Sequence, residues 1–249
     1  MSEQDVNWEL NGPGATLKCG PLEAYARCDA HGLDVVVTKW AERPTPGISV
    51  LCSAGPMESA GQLEVAERYV RGNDFVVSCL PAGPHRITPH VYWRAAFCRE
   101  FNAARLELLL SAQTDLLDSG PTWHINSFVR EATLLHCEIR EHRQVEDISA
   151  VVRTFDAAAS TEHLFLFRVQ SLGISYAQMV HPSDFAGANV ALDGRQPMVV
   201  GSTLFPERLE KGVIRRGRIC GWFMPAENDL ETAAKLAQDF VDEPLPLTA

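Results

Sequence analysis

The stretch HLFLFRVQSLGISYAQMV, residues 163–180, decides the fold. HLFLFRVQ (163–170) and GISYAQMV (173–180) are rich in the aromatic, branched and long apolar residues that fit a pleated surface, and they read as successive strands. Working outward, LDVVVTKW (33–40), GISVLCS (47–53), DFVVSCL (74–80), HVYWRAAF (90–97) and LELLLSAQ (106–113) have the same character. Between them lie DAHG (29–32), ERPTPG (42–47), RGND (71–74), PAGPHR (81–86), DLLDSGP (115–121) and LDGRQP (192–197), where Gly, Pro, Asn or Asp supplies the backbone angles of a reversal. REFNAARLELLL (99–110) has helix-forming residues, but its second half reads better as a strand, because the next turn follows at a strand-like distance.

No helical run is long enough for parallel crossovers, so hairpins follow one another from about residue 15 to 225. NDLETAAKLAQDFVDEP is the exception. Asn228 with Glu231 has capping-box spacing, Leu230, Ala233, Ala234, Ala237 and Phe240 make an apolar stripe, and Pro244 ends the run. The expectation is all-β: one large antiparallel β-sandwich of the supersandwich type, spanning 1–249 as a single domain, with a helix over about 229–242 packed on it.

The chain has 249 residues, 46% of them hydrophobic, and a net charge of −10. That charge repels polyanions, which argues against nucleic acid as a partner. The N-terminus has no basic and apolar leader pattern, and no apolar run approaches membrane-spanning length, so a membrane is not expected either. Seven cysteines without a CxxC pair read as reduced thiols in apolar strands, and the expected compartment is the cytoplasm. No cofactor or metal is expected.

ERLEKGVIRRGRICGWFMP (207–225) concentrates positive charge in this acidic chain. As a strand it places Arg216, Arg218, Cys220, Trp222 and Met224 on one face, basic at one end and aromatic towards the other. Arg94 in VYWRAAF and Arg168 in FLFRVQS also sit inside apolar strands, where a guanidinium must find partners. Two readings follow. Arg94, Arg168, Arg216 and Arg218, with Trp222, form a platform for a small polar or sugar-like ligand, or they meet cross-strand carboxylates such as Glu207 and Glu210. Gly217 and Gly221 mark a bulge or a close approach within the strand.

The remaining candidates carry His. In SYAQMVHPSDF (175–185), His181 and Asp184 follow a strand and serve either as ligand contacts or as turn formers. WHINSFVREATLLHCEIREHR (123–143) reads as a hairpin turning at Glu131–Ala132, placing His124, Asn126 and Cys137 on one face and His136, Glu138 and Arg140 on the other. His136 and Glu138 have the spacing of two metal ligands or an acid/base pair, with no third ligand identifiable. No phosphate loop, GxSxG elbow or HExxH helix is present.

The segments LFPERLEKGVIRRGRICGWFMP, VYWRAAF and AQTDLLDS are similar to a bacterial family of uncharacterised β-rich proteins. That resemblance implies a compact bacterial cytosolic protein and carries no activity or site. Two functions remain open: a non-catalytic module binding a small ligand or a protein partner, and a carbohydrate-active, epimerase-like enzyme using His136 with Glu138 or His181 with Asp184.

Overall fold

The computed structural model describes residues 5–55, 63–139, 145–192 and 198–244. Its elements in chain order are β1 (Val6–Asn11), β2 (Gly14–Cys19), β3 (Leu22–Asp29), β4 (Gly32–Trp40), β5 (Arg43–Pro44), β6 (Ile48–Ser53), β7 (Val65–Arg71), β8 (Asp74–Cys79), β9 (Ile87–Cys98), β10 (Ala103–Thr114), β11 (Trp123–Val129), β12 (Thr133–Glu138), β13 (Glu146–Asp147), β14 (Arg153–Asp156), β15 (His163–Val169), β16 (Ile174–Val180), β17 (Gly187–Leu192), β18 (Met198–Leu204), β19 (Ile214–Pro225) and α1 (Asp229–Asp242).

These strands form two large antiparallel sheets. The first runs β1-β2-β3-β4-β6-β11-β18-β17-β14, with β5 paired to β4. The second runs β13-β12-β15-β16-β19-β10-β9-β8-β7. Alternate residues of both sheets, among them Leu17, Val35, Trp93, Leu108, Trp123, Phe167 and Phe223, meet in one continuous apolar layer. This is the expected large sandwich with its C-terminal helix. The expected turn at 192–197 lies, from residue 193 on, outside the described residues, as does Arg140.

On β19 the even-numbered face from Arg218 to Met224 is buried beneath α1, which packs Ala233, Ala237 and Phe240 over Cys220, Trp222 and Met224. The odd face enters the inter-sheet core at Ile219 and Phe223. β19 carries no bulge, since its register against β10 and β16 is unbroken. Gly221 is instead a close approach: a Cβ there would stand 2.6 Å from the Tyr176 ring.

Two local expectations need correction. The expected hairpin does not form: β11 pairs with β6 and β18 in the first sheet, and β12 pairs with β13 and β15 in the second. Glu131, at φ +52°, turns the chain from one sheet to the other, and each strand takes long-range partners instead of its neighbour. His124 and Cys137 therefore belong to different sheets and do not share a face. Nor does Asn228 cap α1 with its side chain. It adopts φ +55°, and Thr232 N–H donates to its backbone carbonyl instead.

Candidate functional site

The arginines singled out by their apolar context lie on the second sheet but in different settings. Arg94 donates to Asp74 (Nε–Oδ1 2.9 Å). Arg168 lies at the N-terminus of α1, where it grips Asp229 (Nε–Oδ2 2.8 Å, Nη2–Oδ1 2.6 Å) while Ser175 donates to the same carboxylate. Asp229 is only 2% exposed, so this pair fastens the helix to β15 and β16. A cavity of about 670 Å³ beside it is lined by Arg168, Asp229, Cys137 and Leu230 among others; Arg168 and Asp229 already satisfy each other, and its other two charged residues, Glu227 and Glu231, are both acidic.

Arg215 pairs with Glu207 at 2.9 Å. Arg216 is exposed and has no carboxylate partner among the described residues. Arg218 is buried; its guanidinium stands 5.2 Å from the centre of the Phe240 ring, and its Nε and Nη2 meet no acceptor among the described residues. Trp222 is covered edge-on by the same Phe240, at 5.8 Å. His181 also contacts Phe240, while its Nδ1 lies 2.7 Å from the Ser183 hydroxyl, which donates to Asp184. Asp184 in turn accepts from the Arg218 backbone N–H. The structure thus gathers Arg218, Trp222, His181 and Asp184 around Phe240 and places Arg168 elsewhere. Burial, with Arg218 adding to it, lowers the His181 pKa from the ordinary imidazole value.

The open polar site lies on the outer face of the first sheet. Cross-strand register aligns Thr154 (β14), Asn189 (β17), Gly201 (β18) and Asn126 (β11) in one row. A second row holds Asp156, Gly187, Thr203 and His124 on the same four strands. Neighbouring strands stand about 4.8 Å apart and the rows about 7 Å apart, so polar groups tile a surface a few residues wide. The tiling borders a cavity of about 700 Å³ that reaches the backbone at Gly187, which brings no side chain; over Gly201 the amide oxygens of Asn126 and Asn189 close in instead. The amides of Asn126 and Asn189 flank Gly201 and find no hydrogen-bond partner among the described residues. His124 Nδ1 lies 3.2 Å from the Thr203 hydroxyl, leaving Nε2 for another partner, and Asp156 Oδ1 accepts from the Ala158 amide. The alternation in WHIN carries two of these residues, yet the rows arise from strands far apart in sequence.

Behind this surface, between the sheets, His136 and His163 share a hydrogen bond (Nε2–Nδ1 3.0 Å). Glu138, opposite His163 in register, approaches its Nδ1 to 3.9 Å. Phe155, Phe165 and Phe185 enclose the pair. Burial, reinforced by His163 and Arg153, pushes His136 down to about 4, and burial also lowers His163 despite the opposing Glu138. The sequence identified His136 and Glu138; His163 was missed because only strand pairing brings it alongside.

No protein-family model matches the chain, and no curated protein does. Among solved structures it is similar to a putative aldose 1-epimerase from Escherichia coli, at 8% identity and TM-score 0.51, over 88% of this chain and 99% of that one. It is also similar to a TPR-domain containing protein from Parabacteroides distasonis, at 11% identity and TM-score 0.52, over 95% of this chain and 48% of that one. At these identities the likeness establishes the sandwich fold. Among the described residues, no helix is long and apolar enough to cross a membrane.

Proposed function

We propose that the protein binds a neutral, sugar-like polyhydroxylated ligand in the cavity on the outer face of the first sheet. The observation that carries this reading is the pair of aligned rows, Thr154–Asn189–Gly201–Asn126 and Asp156–Gly187–Thr203–His124, which sets amides, hydroxyls, one imidazole and one carboxylate around the cavity at Gly187. Hydroxyl-rich ligands need such a mixture of donors and acceptors, and the volume falls in the ordinary range for small-ligand sites. The cavity lining contains no Lys or Arg to hold a phosphate, and the chain carries a net charge of −10, so neutral sugars are favoured over sugar phosphates. The fold shared with a putative aldose 1-epimerase supports the same ligand class by analogy alone.

A second reading makes the site catalytic, with His124 and Asp156 exchanging protons with a sugar hydroxyl and ring oxygen. The observation favouring it is that one imidazole and one carboxylate share a row. The pairs His136/Glu138 and His181/Asp184 support it less, since the first His is buried against His163 and the second is tied into its own turn.

Thermal unfolding in the presence of glucose, galactose and their 6-phosphates tests both. A neutral hexose at ten times its dissociation constant stabilises the fold by about 1.4 kcal/mol, raising Tm by roughly 3–5 °C in a chain of this size. Asp156→Asn and Gly201→Ala should abolish that rise, the second because its Cβ would sit 2.5 Å from Asn189 Oδ1 and 2.7 Å from Asn126 Oδ1. Stabilisation by the phosphates alone, or a rise unchanged in both variants, would defeat the proposal. Faster anomer exchange by wild type, lost in His124→Ala, would select the catalytic reading.

A further inference from the structure

We infer that His136, Glu138 and His163 form a binding site for one divalent transition-metal ion of the zinc class. The three ligand atoms all lie within 4.8 Å of one another. Strand geometry produces this convergence. His136 and Glu138 are two residues apart on β12 and share its inward face, and β15 places His163 directly opposite Glu138. Two imidazole nitrogens and one carboxylate oxygen suit zinc, cobalt or nickel, whereas calcium and magnesium take oxygen ligands.

The 3.0 Å contact between His136 Nε2 and His163 Nδ1 requires that one of these nitrogens be a bare acceptor and the other a donor. An ion between them replaces that hydrogen bond. The donor ring moves its proton to its other nitrogen, so both facing nitrogens present lone pairs and no proton need leave. The two nitrogens, 3.0 Å apart, then open by a few tenths of an ångström, and the Glu138 carboxylate, 3.9 Å from His163 Nδ1, draws in through its own rotamer to reach bonds of about 2.0–2.2 Å.

The surroundings have the features of a metal site. Phe155, Phe165 and Phe185 form an apolar shell around the imidazoles, while Glu138, 30% exposed at its side chain, gives a route from solvent. Among the described residues, the cation that acts on both imidazoles is Arg153, which is engaged by Glu146 and stacked on Phe155, 4.9 Å from its ring centre. Phe155 lies between Thr154 and Asp156 on β14, so an ion here would brace the strand that supplies one edge of the sugar cavity. The site draws on none of the cavity's polar side chains.

Chelator-stripped protein should be dialysed against zinc and its metal content measured, with cobalt substitution followed by visible absorption. The expected result is one zinc per chain and a cobalt spectrum of nitrogen and oxygen ligation without thiolate charge-transfer bands. Glu138→Gln, a near-isosteric change at a part-exposed position, should weaken binding by more than about tenfold. His163→Gln should do the same wherever it remains folded by circular dichroism. No zinc above the level of a buffer control would overturn the inference. Stoichiometric binding unchanged in Glu138→Gln, or a thiolate spectrum arising from the free cysteines, would overturn it equally.

Discussion

At the scale of single residues, several polar side chains of this chain are buried deeply enough that their surroundings set their chemistry. His181 is the clearest case for a pH measurement. Burial lowers its pKa, with Arg218 acting in the same direction and Asp184 and Glu243 opposing. The unfolded chain therefore takes up a proton at higher pH than the folded one. The stability contribution is complete above the ordinary imidazole pKa of about 6.5 and is lost as pH falls through the lower folded value. His181→Asn keeps an acceptor near the Ser183 hydroxyl and removes the titration. Urea unfolding between pH 7 and pH 5 should show a shallower decline for the variant; equal slopes would assign the pH dependence to other groups. Residue identity was legible in the sequence here, since His181 and Asp184 stand out after an apolar strand. Their partners were not, because Phe240 and Arg218 arrive from elsewhere in the chain.

At the scale of elements, apolar and β-prone residues located β4, β6, β8, β9, β10, β15 and β16 to within a few residues: one buried face imposes a period of two on β9, while β8, β15 and β16, buried on both faces, show as nearly continuous apolar runs. The lateral order β11-β18-β17-β14 was illegible: it depends on which distant strands win each edge, and no local residue encodes that. The two-row cavity shares this fate, being a product of register. The amphipathic stripe of α1 and its bounds were legible, but the way its first turn is held was not, since Asp229 is drawn to Arg168 and Asn228 turns left-handed without a side-chain cap. The stripe closes on Phe240, whose ring meets Trp222, His181, Arg105 and Arg218. Phe240→Ala removes that shared surface and should cost about 3–5 kcal/mol in denaturant unfolding. A loss under about 1 kcal/mol would mean that α1 is an appendage and not part of the core.

At the scale of the whole molecule, the two outer faces have diverged. The second sheet spends much of its outer face on α1, with Arg94 and Arg168 in ion pairs and Trp222 under the helix. The first sheet leaves an open polar depression on its outer face, between β14 and β11. The basic strand that draws attention in the sequence thus lies on the opposite sheet from the proposed sugar site. The most direct test follows the side-chain amide resonances of Asn126 and Asn189 by NMR while galactose or glucose is added. The account predicts that both shift along one saturable curve while the Arg218 Nε resonance stays still. Movement at Arg218 and His181 with Asn126 and Asn189 unchanged would contradict it, as would no movement at saturating sugar.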